Sequence, residues 1–215
     1  IDLLLTNEKQ LGGMTKGHKY DIRKARKLGI SIVEDKSFRQ IDEFMQIYNE
    51  TMERNAASAN YFFPKEYYIE LKKSFGESIK LFFAMLEDQA VSASMFFMTG
   101  RIIQYHLSGT RTEHLYLNGA KLIIDEIRLW GVQNGFSWLH LGGGVGSSED
   151  SLFRFKAGFS KLRQPFQVVR KIANQEIYTE LCSQRKKWAK VNGYTLSESN
   201  FFPEYRRLMQ PRSHS

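Results

Sequence analysis

The spacing of apolar residues along the chain changes several times, and each change marks a predicted element. Apolar positions three or four residues apart predict amphipathic helices, whereas alternation or a short β-branched run predicts strands. Gly29, Gly76 and Gly135 end three of the helices, since glycine readily takes the left-handed backbone after a last helical turn. The predicted helices cover residues 16–28, 38–54, 64–75, 117–134, 151–157 and 175–191. The predicted strands cover residues 30–34, 79–87, 90–98, 101–109, 136–141 and 166–172.

The order of these elements predicts the fold class. The turns at residues 88–89 and 99–100 are short enough to force hairpins, so the three strands that they join are antiparallel. We therefore expect an α/β (α+β) fold, with a mixed and mostly antiparallel sheet flanked by helices. Residues 1–29 are interpreted as a strand remnant and a basic helix, 30–192 as the main domain, and 193–215 as a loosely held C-terminal tail.

Composition excludes several classes of protein. Apolar residues make up 42% of the chain and aromatic residues 13%, which is enough for a packed core. A single cysteine, Cys182, excludes an internal disulfide and a cysteine-rich zinc site. The five histidines are His18, His106, His114, His140 and His214. They form no i, i+4 pair, so no metal site is predicted.

The chain shows no sequence signal for a membrane span or for export. No apolar run approaches the roughly 20 residues that cross a bilayer, and the first residues lack the pattern of a signal peptide. We expect a cytoplasmic protein, and peripheral contact with the inner face of the membrane stays open. The chain begins with Ile1 rather than Met, which leaves open a further segment upstream.

The charge is basic and unevenly distributed. Lys and Arg number 31 against 23 Asp and Glu, for a formal net charge of +8. Seven basic or histidine side chains fall within residues 16–27, where a helix is predicted. Such a cluster attracts phosphates of nucleic acids, nucleotides or lipid headgroups. A solvated charged face that binds nothing is the alternative.

A glycine-rich turn is the most distinctive local feature. The apolar run 136–141 leads into Gly142, Gly143 and Gly144, and Ser-Glu-Asp then opens the short helix that carries Lys156. A strand, a glycine turn and a helix N-terminus together point backbone N–H groups at one place, where an anion can bind. The turn lacks the Gly-Lys-Ser/Thr ending of a P-loop, so ATP binding is not predicted.

Two segments carry a resemblance to a known family. They are Lys19-Tyr20-Asp21-Ile22-Arg23-Lys24-Ala25-Arg26-Lys27-Leu28-Gly29-Ile30, and Leu139-His140-Leu141-Gly142-Gly143-Gly144 followed by Leu152-Phe153-Arg154-Phe155-Lys156-Ala157-Gly158-Phe159. In these segments the chain resembles the second half of the Fem-type peptidyltransferases, which have the fold of the GNAT acyltransferases. Residues 30–192 would then be the GNAT-like acyltransferase domain. The resemblance leaves open whether a second GNAT-like half lies upstream and acts as its partner.

The resemblance also implies substrates. Fem-type proteins take aminoacyl-tRNA as donor and an amine of a UDP- or lipid-linked peptidoglycan precursor as acceptor, without a further cofactor. Ordinary GNAT enzymes use acetyl-CoA and hold its pyrophosphate on a Gln/Arg-x-x-Gly-x-Gly/Ala turn. Residues 108–120 lack that glycine spacing, so a CoA donor is less favoured than a donor that ends in RNA.

Candidate roles follow from the chemistry of this transfer. Lys156 is the candidate for stabilising the tetrahedral oxyanion, and Phe155 for stacking on the terminal adenine of a tRNA. His106 and Asp150 are candidate general bases, and His140 and Glu149 are alternatives by residue type. Candidate substrate-binding groups are Arg154, the three glycines Gly142, Gly143 and Gly144, and Lys19 and Arg23 on the basic helix.

Each of these assignments has a structural alternative. Phe155 is then a core residue, Lys156 a surface lysine, His106 a hydrogen-bonded core histidine and Asp150 a helix cap. Two other functions also stay open for the whole chain. One is an N-acyltransferase that uses an acyl-CoA or an acyl-carrier thioester, and the other is a nucleic-acid-binding module that keeps the fold without catalysis.

Overall fold

The computed structural model describes residues 1–211, so His214 lies outside the described residues. The α-helices in this range are α1 (Asn7–Gly13), α2 (Lys16–Lys27), α3 (Ile41–Arg54), α4 (Lys65–Phe75), α5 (Gly119–Gln133), α6 (Ser151–Ala157) and α7 (Gln175–Val191). The strands are β1 (Ser31–Glu34), β2 (Ile79–Leu86), β3 (Gln89–Thr99), β4 (Ile102–Thr110), β5 (Trp138–His140), β6 (Tyr194–Leu196) and β7 (Met209–Pro211).

Five strands form one sheet in the order β1-β2-β3-β4-β5. The pairs β1–β2, β2–β3 and β3–β4 are antiparallel, and β5 runs parallel to β4. The register of β3 with β4 shifts between Met95 and Phe96, which pair with Leu107 and Tyr105. His106 is therefore the extra residue of a β-bulge, a feature that redirects side chains at sheet edges and next to active sites.

Each face of this sheet carries its own buried cluster. On the first face, α2 and α5 cover β-strand side chains such as Phe82, Ile103 and Tyr105. On the second face, α3 and α4 cover Leu81 and Phe83. Neighbouring residues of β2 alternate between the clusters because successive side chains of a strand point to opposite faces. The predicted α/β fold, mostly antiparallel and flanked by helices, is confirmed.

One predicted strand does not form. Residues 165–173 have no strand pairing, and Val169 is 93% exposed. The apolar alternation there matches a strand, but a strand needs a neighbouring backbone to satisfy its N–H and C=O groups, and none of the observed pairings includes this segment. The tail instead contains an antiparallel pair, β6 with β7.

The chain divides into two compact units, residues 1–164 and a second unit that begins at Pro165. These bounds differ from the predicted divisions at 29/30 and 192/193. The first difference arises because Ile22 and Ala25 of the basic helix are buried in the first-face cluster. Within residues 1–211, no helix combines the length and the apolar character that a membrane crossing requires.

Candidate functional site

The sheet opens where β5 leaves β4. The two strands pair only from Ile102–Trp138 to Gln104–His140, while β4 continues to Thr110. From Tyr105 onward, the described strands leave that edge of β4 unpaired. The glycine turn and α6 follow β5 directly, so they lie at this gap, which we call the β4–β5 opening.

The glycine turn is held by a carboxylate. Asp150 accepts hydrogen bonds from the backbone N–H of Phe153 at 2.8 Å and of Val145 at 3.0 Å. It thereby caps α6 and closes the turn onto the helix. These bonds to the charged form lower the pKa of Asp150, whereas a base for chemistry near neutral pH needs a pKa close to neutrality. The geometry therefore gives this residue a capping role.

Lys156 lies at the open end of the sheet. Its Nζ donates to the carbonyl oxygen of Gly143 at 2.9 Å and lies 5.8 Å from the centre of the Tyr105 ring. Burial lowers the pKa of Lys156, and the charge of Asp150 partly opposes that shift. The ammonium group is thus partly withdrawn from water, beside the glycine turn, as an oxyanion-stabilising group has to be.

The neighbours of Lys156 on α6 point in different directions. Phe155 is half-buried and packs against the first-face core, with its ring 5.6 Å from that of Phe159. Arg154 is exposed, and its guanidinium donates to the carbonyl oxygen of Glu149. Of the three glycines, Gly142 has φ +75°, and a Cβ there would lie 3.4 Å from the Lys156 Nζ. The turn thus approaches the ammonium group closely.

His106 lies on the second face of the sheet. Its Nε2 is 3.1 Å from the hydroxyl of Tyr67 on α4, and its ring lies 4.8 Å from that of Phe97. Burial lowers its pKa. Lys156, by contrast, contacts Tyr105 of the first-face cluster. The structure therefore does not bring His106 and Lys156 together as one contact pair.

Three groups at the site carry no clear signal in the sequence. Gln104 lies at the end of the β4–β5 pairing and hydrogen-bonds the Nδ1 of the exposed His140. Tyr105, beside it, is buried under Lys156. His18, from the basic helix, bonds the carbonyl oxygen of Phe155 at 2.8 Å. Each of these contacts joins residues that are far apart in the sequence. They become visible only once the strands and helices are packed together in the fold.

The basic helix α2 begins next to α6. The N–H of Thr15 donates to the carbonyl oxygen of Gly158 at 2.9 Å, and Lys16 and Arg23 are exposed. Lys19 is half-buried, and its carbonyl oxygen accepts from the Arg23 Nε. The ion pairs described for this helix involve only Arg26 and Asp21. They do not include its other cations, Lys16, Lys19, Arg23, Lys24 and Lys27. Their charges remain available to an anionic partner.

No group of three or more His, Cys, Asp or Glu side chains suited to a metal ion occurs within residues 1–211. The site offers instead a cation, backbone carbonyl and N–H groups, and imidazoles. Such a set fits acyl transfer, in which charge develops on an oxygen and a proton leaves an amine.

Comparison with known proteins agrees with this architecture. Residues 2–89 match the FemAB family. A crystal structure of FemX has the same fold, with a TM-score of 0.65 and 12% identity over 74% of this chain and 56% of FemX. Ribosomal-protein-alanine N-acetyltransferase from Brucella melitensis biovar Abortus 2308 gives a TM-score of 0.50 and 15% identity, over 67% of this chain and 99% of that protein. No curated protein sequence matches the chain.

These similarities cover different parts of the chain. The FemAB match ends at residue 89, so it includes the basic helix and not the turn that holds Lys156. The two solved structures show the fold, and the chain spans just over half the length of FemX. Together, the FemAB match and the two solved structures confirm the resemblance of the chain to the Fem-type family and its GNAT-like fold.

Proposed function

We propose that the protein is a Fem-type acyltransferase, which moves an aminoacyl group from aminoacyl-tRNA to an amine of a UDP- or lipid-linked peptidoglycan precursor. The observation that carries the proposal is the position of Lys156 at the β4–β5 opening, bonded to the glycine turn. The FemAB match over residues 2–89 supports the substrate class.

Lys156 has the geometry of an oxyanion-stabilising group. Aminoacyl transfer from an ester passes through a tetrahedral intermediate with a negative oxygen. Gly143 uses one of the three N–H donors of the ammonium group, and two others are available to that oxygen. A fixed cation in a site partly shielded from water stabilises developing charge without reorganisation, and one such donor is typically worth about 3–4 kcal/mol of barrier.

The cationic helix supports a donor that carries many phosphates. Lys16 and Arg23 are exposed on α2, and His18 of the same helix contacts α6, the helix of Lys156. A polyanion that lies along α2 therefore reaches the β4–β5 opening at its end. Transfer RNA is such a polyanion, because each of its nucleotides carries a negative phosphate charge. The acyl group of a charged tRNA is attached at one end of the molecule.

The turn before α5 argues against a CoA donor. In this turn the backbone N–H of Thr112 donates to the carboxylate of Glu50 at 2.6 Å, and the carboxylate of Glu113 lies 3.4 Å from His114. Glu50 therefore already satisfies an N–H donor of the turn that precedes α5. A pyrophosphate bound here would have to displace Glu50 from that N–H group.

The test is transfer of radiolabelled amino acid from a panel of charged tRNAs to a UDP-linked or lipid-linked pentapeptide precursor. The Lys156→Ala variant is expected to lose about 10²–10³-fold in kcat while the protein remains folded by circular dichroism. Lys73→Ala is the control, because Lys73 is an exposed lysine paired with Glu70 on α4 and its replacement removes the same charge.

Two outcomes would contradict the proposal. One is turnover with acetyl-CoA and none with any charged tRNA, which would indicate an ordinary N-acetyltransferase. The other is tRNA binding without transfer to any acceptor, and equal binding by Lys156→Ala, which would indicate a non-catalytic RNA-binding module.

A further inference from the structure

We propose that His140 is the general base of the transfer and that Gln104 fixes the imidazole with its Nε2 lone pair free to take a proton from the attacking amine. This inference rests on the proposed acyl transfer and adds the residue that completes it. The candidate bases that the sequence favours, His106 and Asp150, are held by Tyr67 and by the cap of α6 respectively.

The hydrogen bonds of Gln104 determine the tautomer of His140. The amide of Gln104 lies 2.9 Å from the carbonyl oxygen of Tyr105. A carbonyl oxygen only accepts, so the NH₂ group of Gln104 faces it. The amide oxygen then faces the Nδ1 of His140, and this oxygen also only accepts. Nδ1 therefore carries the proton, and Nε2 of the neutral ring is left as the acceptor.

The surroundings of His140 favour the neutral ring. Burial lowers its pKa, and the positive charge of Lys156 acts in the same direction. Gln104 on β4 is uncharged, and the other imidazole on that strand, His106, also has a lowered pKa because of burial. A neutral imidazole has a free ring nitrogen that can accept a proton from an amine.

The position of His140 suits an amine that approaches from the second face. Gln104 also lines a groove of about 370 Å³ together with Phe75, Phe97, Thr99 and Ile102. His140 hydrogen-bonds Gln104 of this groove and is followed in the chain by the glycine turn, and the charge of Lys156 acts on its ring. Donor and acceptor can thus reach the opening from different sides.

The step balances with these groups alone. The neutral amine attacks the ester carbonyl carbon, and Lys156 stabilises the resulting oxyanion. As the C–N bond forms, one N–H proton passes to Nε2 of His140. When the bond between the carbonyl carbon and the ribose oxygen breaks, the imidazolium returns that proton to the ribose oxygen, which leaves as a hydroxyl.

The first test needs no substrate. Long-range ¹H–¹⁵N spectra of the ¹⁵N-histidine protein report the tautomer and the titration of each ring. His140, assigned by the disappearance of its signals in His140→Asn, is expected as the Nδ1–H tautomer with a pKa below the usual 6.5. In Gln104→Glu the added carboxylate faces Nδ1–H, so the pKa should rise. An Nε2–H tautomer, or a pKa at or above the usual value, would overturn the proposal.

The second test uses the pH profile of kcat/KM in the charged-tRNA assay. His140→Asn is expected to lower the rate about 10²–10⁴-fold near neutral pH and to lose the acidic limb, and Gln104→Glu to move that limb to higher pH. His106→Asn is the matched comparison and should keep the limb. An acidic limb that disappears in His106→Asn and persists in His140→Asn would overturn the proposal.

The two proposals fail differently. If the wild-type protein transfers no aminoacyl group, the function is wrong, whatever the His140 spectra show. If the wild-type protein turns over and His140→Asn matches it in rate and pH profile, the function stands and the assignment of the base is wrong.

Discussion

The Nε2 atom of His18 lies 2.8 Å from the carbonyl oxygen of Phe155, which joins the first turn of α2 to α6 across 137 residues. A carbonyl oxygen only accepts, so this Nε2 carries the proton. The same ring packs edge-on against Phe159 at 4.6 Å. His18 therefore acts as an anchor that holds the helix of Lys156 against the basic helix.

Substitution of Gly158 should break this anchor. A Cβ at Gly158 would lie 2.5 Å from Nε2 and 2.7 Å from Nδ1 of His18, closer than real contacts allow. Gly158→Ala is therefore expected to lower the free energy of unfolding by about 1–3 kcal/mol, measured by urea denaturation.

Gly17→Ala is the matched control, because a Cβ there meets nothing within 4 Å. Alanine exceeds glycine in helix propensity, so this variant should gain up to about 1 kcal/mol. The double variant Gly158→Ala, His18→Ala should cost less than the sum of its two single changes, since removing the imidazole relieves the clash. Strict additivity would contradict the anchor.

The glycine turn offers a second matched pair of substitutions. A Cβ at Gly144 would meet the carbonyl oxygen of Ser148 and the carboxylate of Asp150, which caps α6. A Cβ at Gly143 would meet nothing within 4 Å. Gly144→Ala should therefore lose about 1–3 kcal/mol of stability through overpacking and disruption of the cap, and Gly143→Ala should lose far less. Equal losses in thermal or urea unfolding would show that the turn is not built around Asp150.

Stability should fall as the pH drops below neutrality. Burial lowers the pKa of His18 below its usual 6.5, so the folded protein favours the neutral ring more than the unfolded chain does. The contribution of His18 is complete above about pH 6.5 and is lost as the pH falls from there through the folded pKa. His106 and His140 act in the same direction, because their pKa values are also lowered.

Urea denaturation at pH 7.5 and pH 5.5 measures this effect. The His18→Gln variant keeps His106 and His140 and should lose less stability between these pH values than the wild-type protein. The same decrease in both proteins would mean that His18 does not contribute to the pH dependence.

The cationic face of α2 should dominate the salt dependence of RNA binding. Replacing Lys16, Lys19 and Arg23 by alanine is expected to weaken binding of uncharged tRNA. It should also reduce the slope of log K against log [KCl] by about 0.7–0.9 for each phosphate that the variant no longer neutralises. Fluorescence anisotropy across a KCl series measures both effects.

A triple variant of α4 removes the same charge elsewhere. Lys65, Lys72 and Lys73 are paired with Asp42, Glu77 and Glu70, so their replacement by alanine should leave the slope nearly unchanged. An equal change in the two triple variants would indicate a general charge effect instead of a binding face.

The site could be predicted from the sequence only in part. The glycine turn, the short helix and Lys156 are neighbours in the chain, so local patterns were enough to place them together. The contact of His18 with Phe155 and that of Gln104 with His140 join residues 137 and 36 positions apart. No local pattern encodes such contacts without an alignment of related chains.

The sequence by itself determined the order of the elements from α2 to α6, the antiparallel hairpins, the cationic helix and the glycine turn, because hydrophobic period, turn length and charge act over a few residues. It did not predict α1, β6 or β7. It predicted a strand at 166–172, where local propensity is strong. Only the tertiary structure decided that this segment has no strand partner and that β5 leaves β4 after Gln104. Those outcomes depend on which distant backbone and side-chain groups satisfy each other's hydrogen bonds.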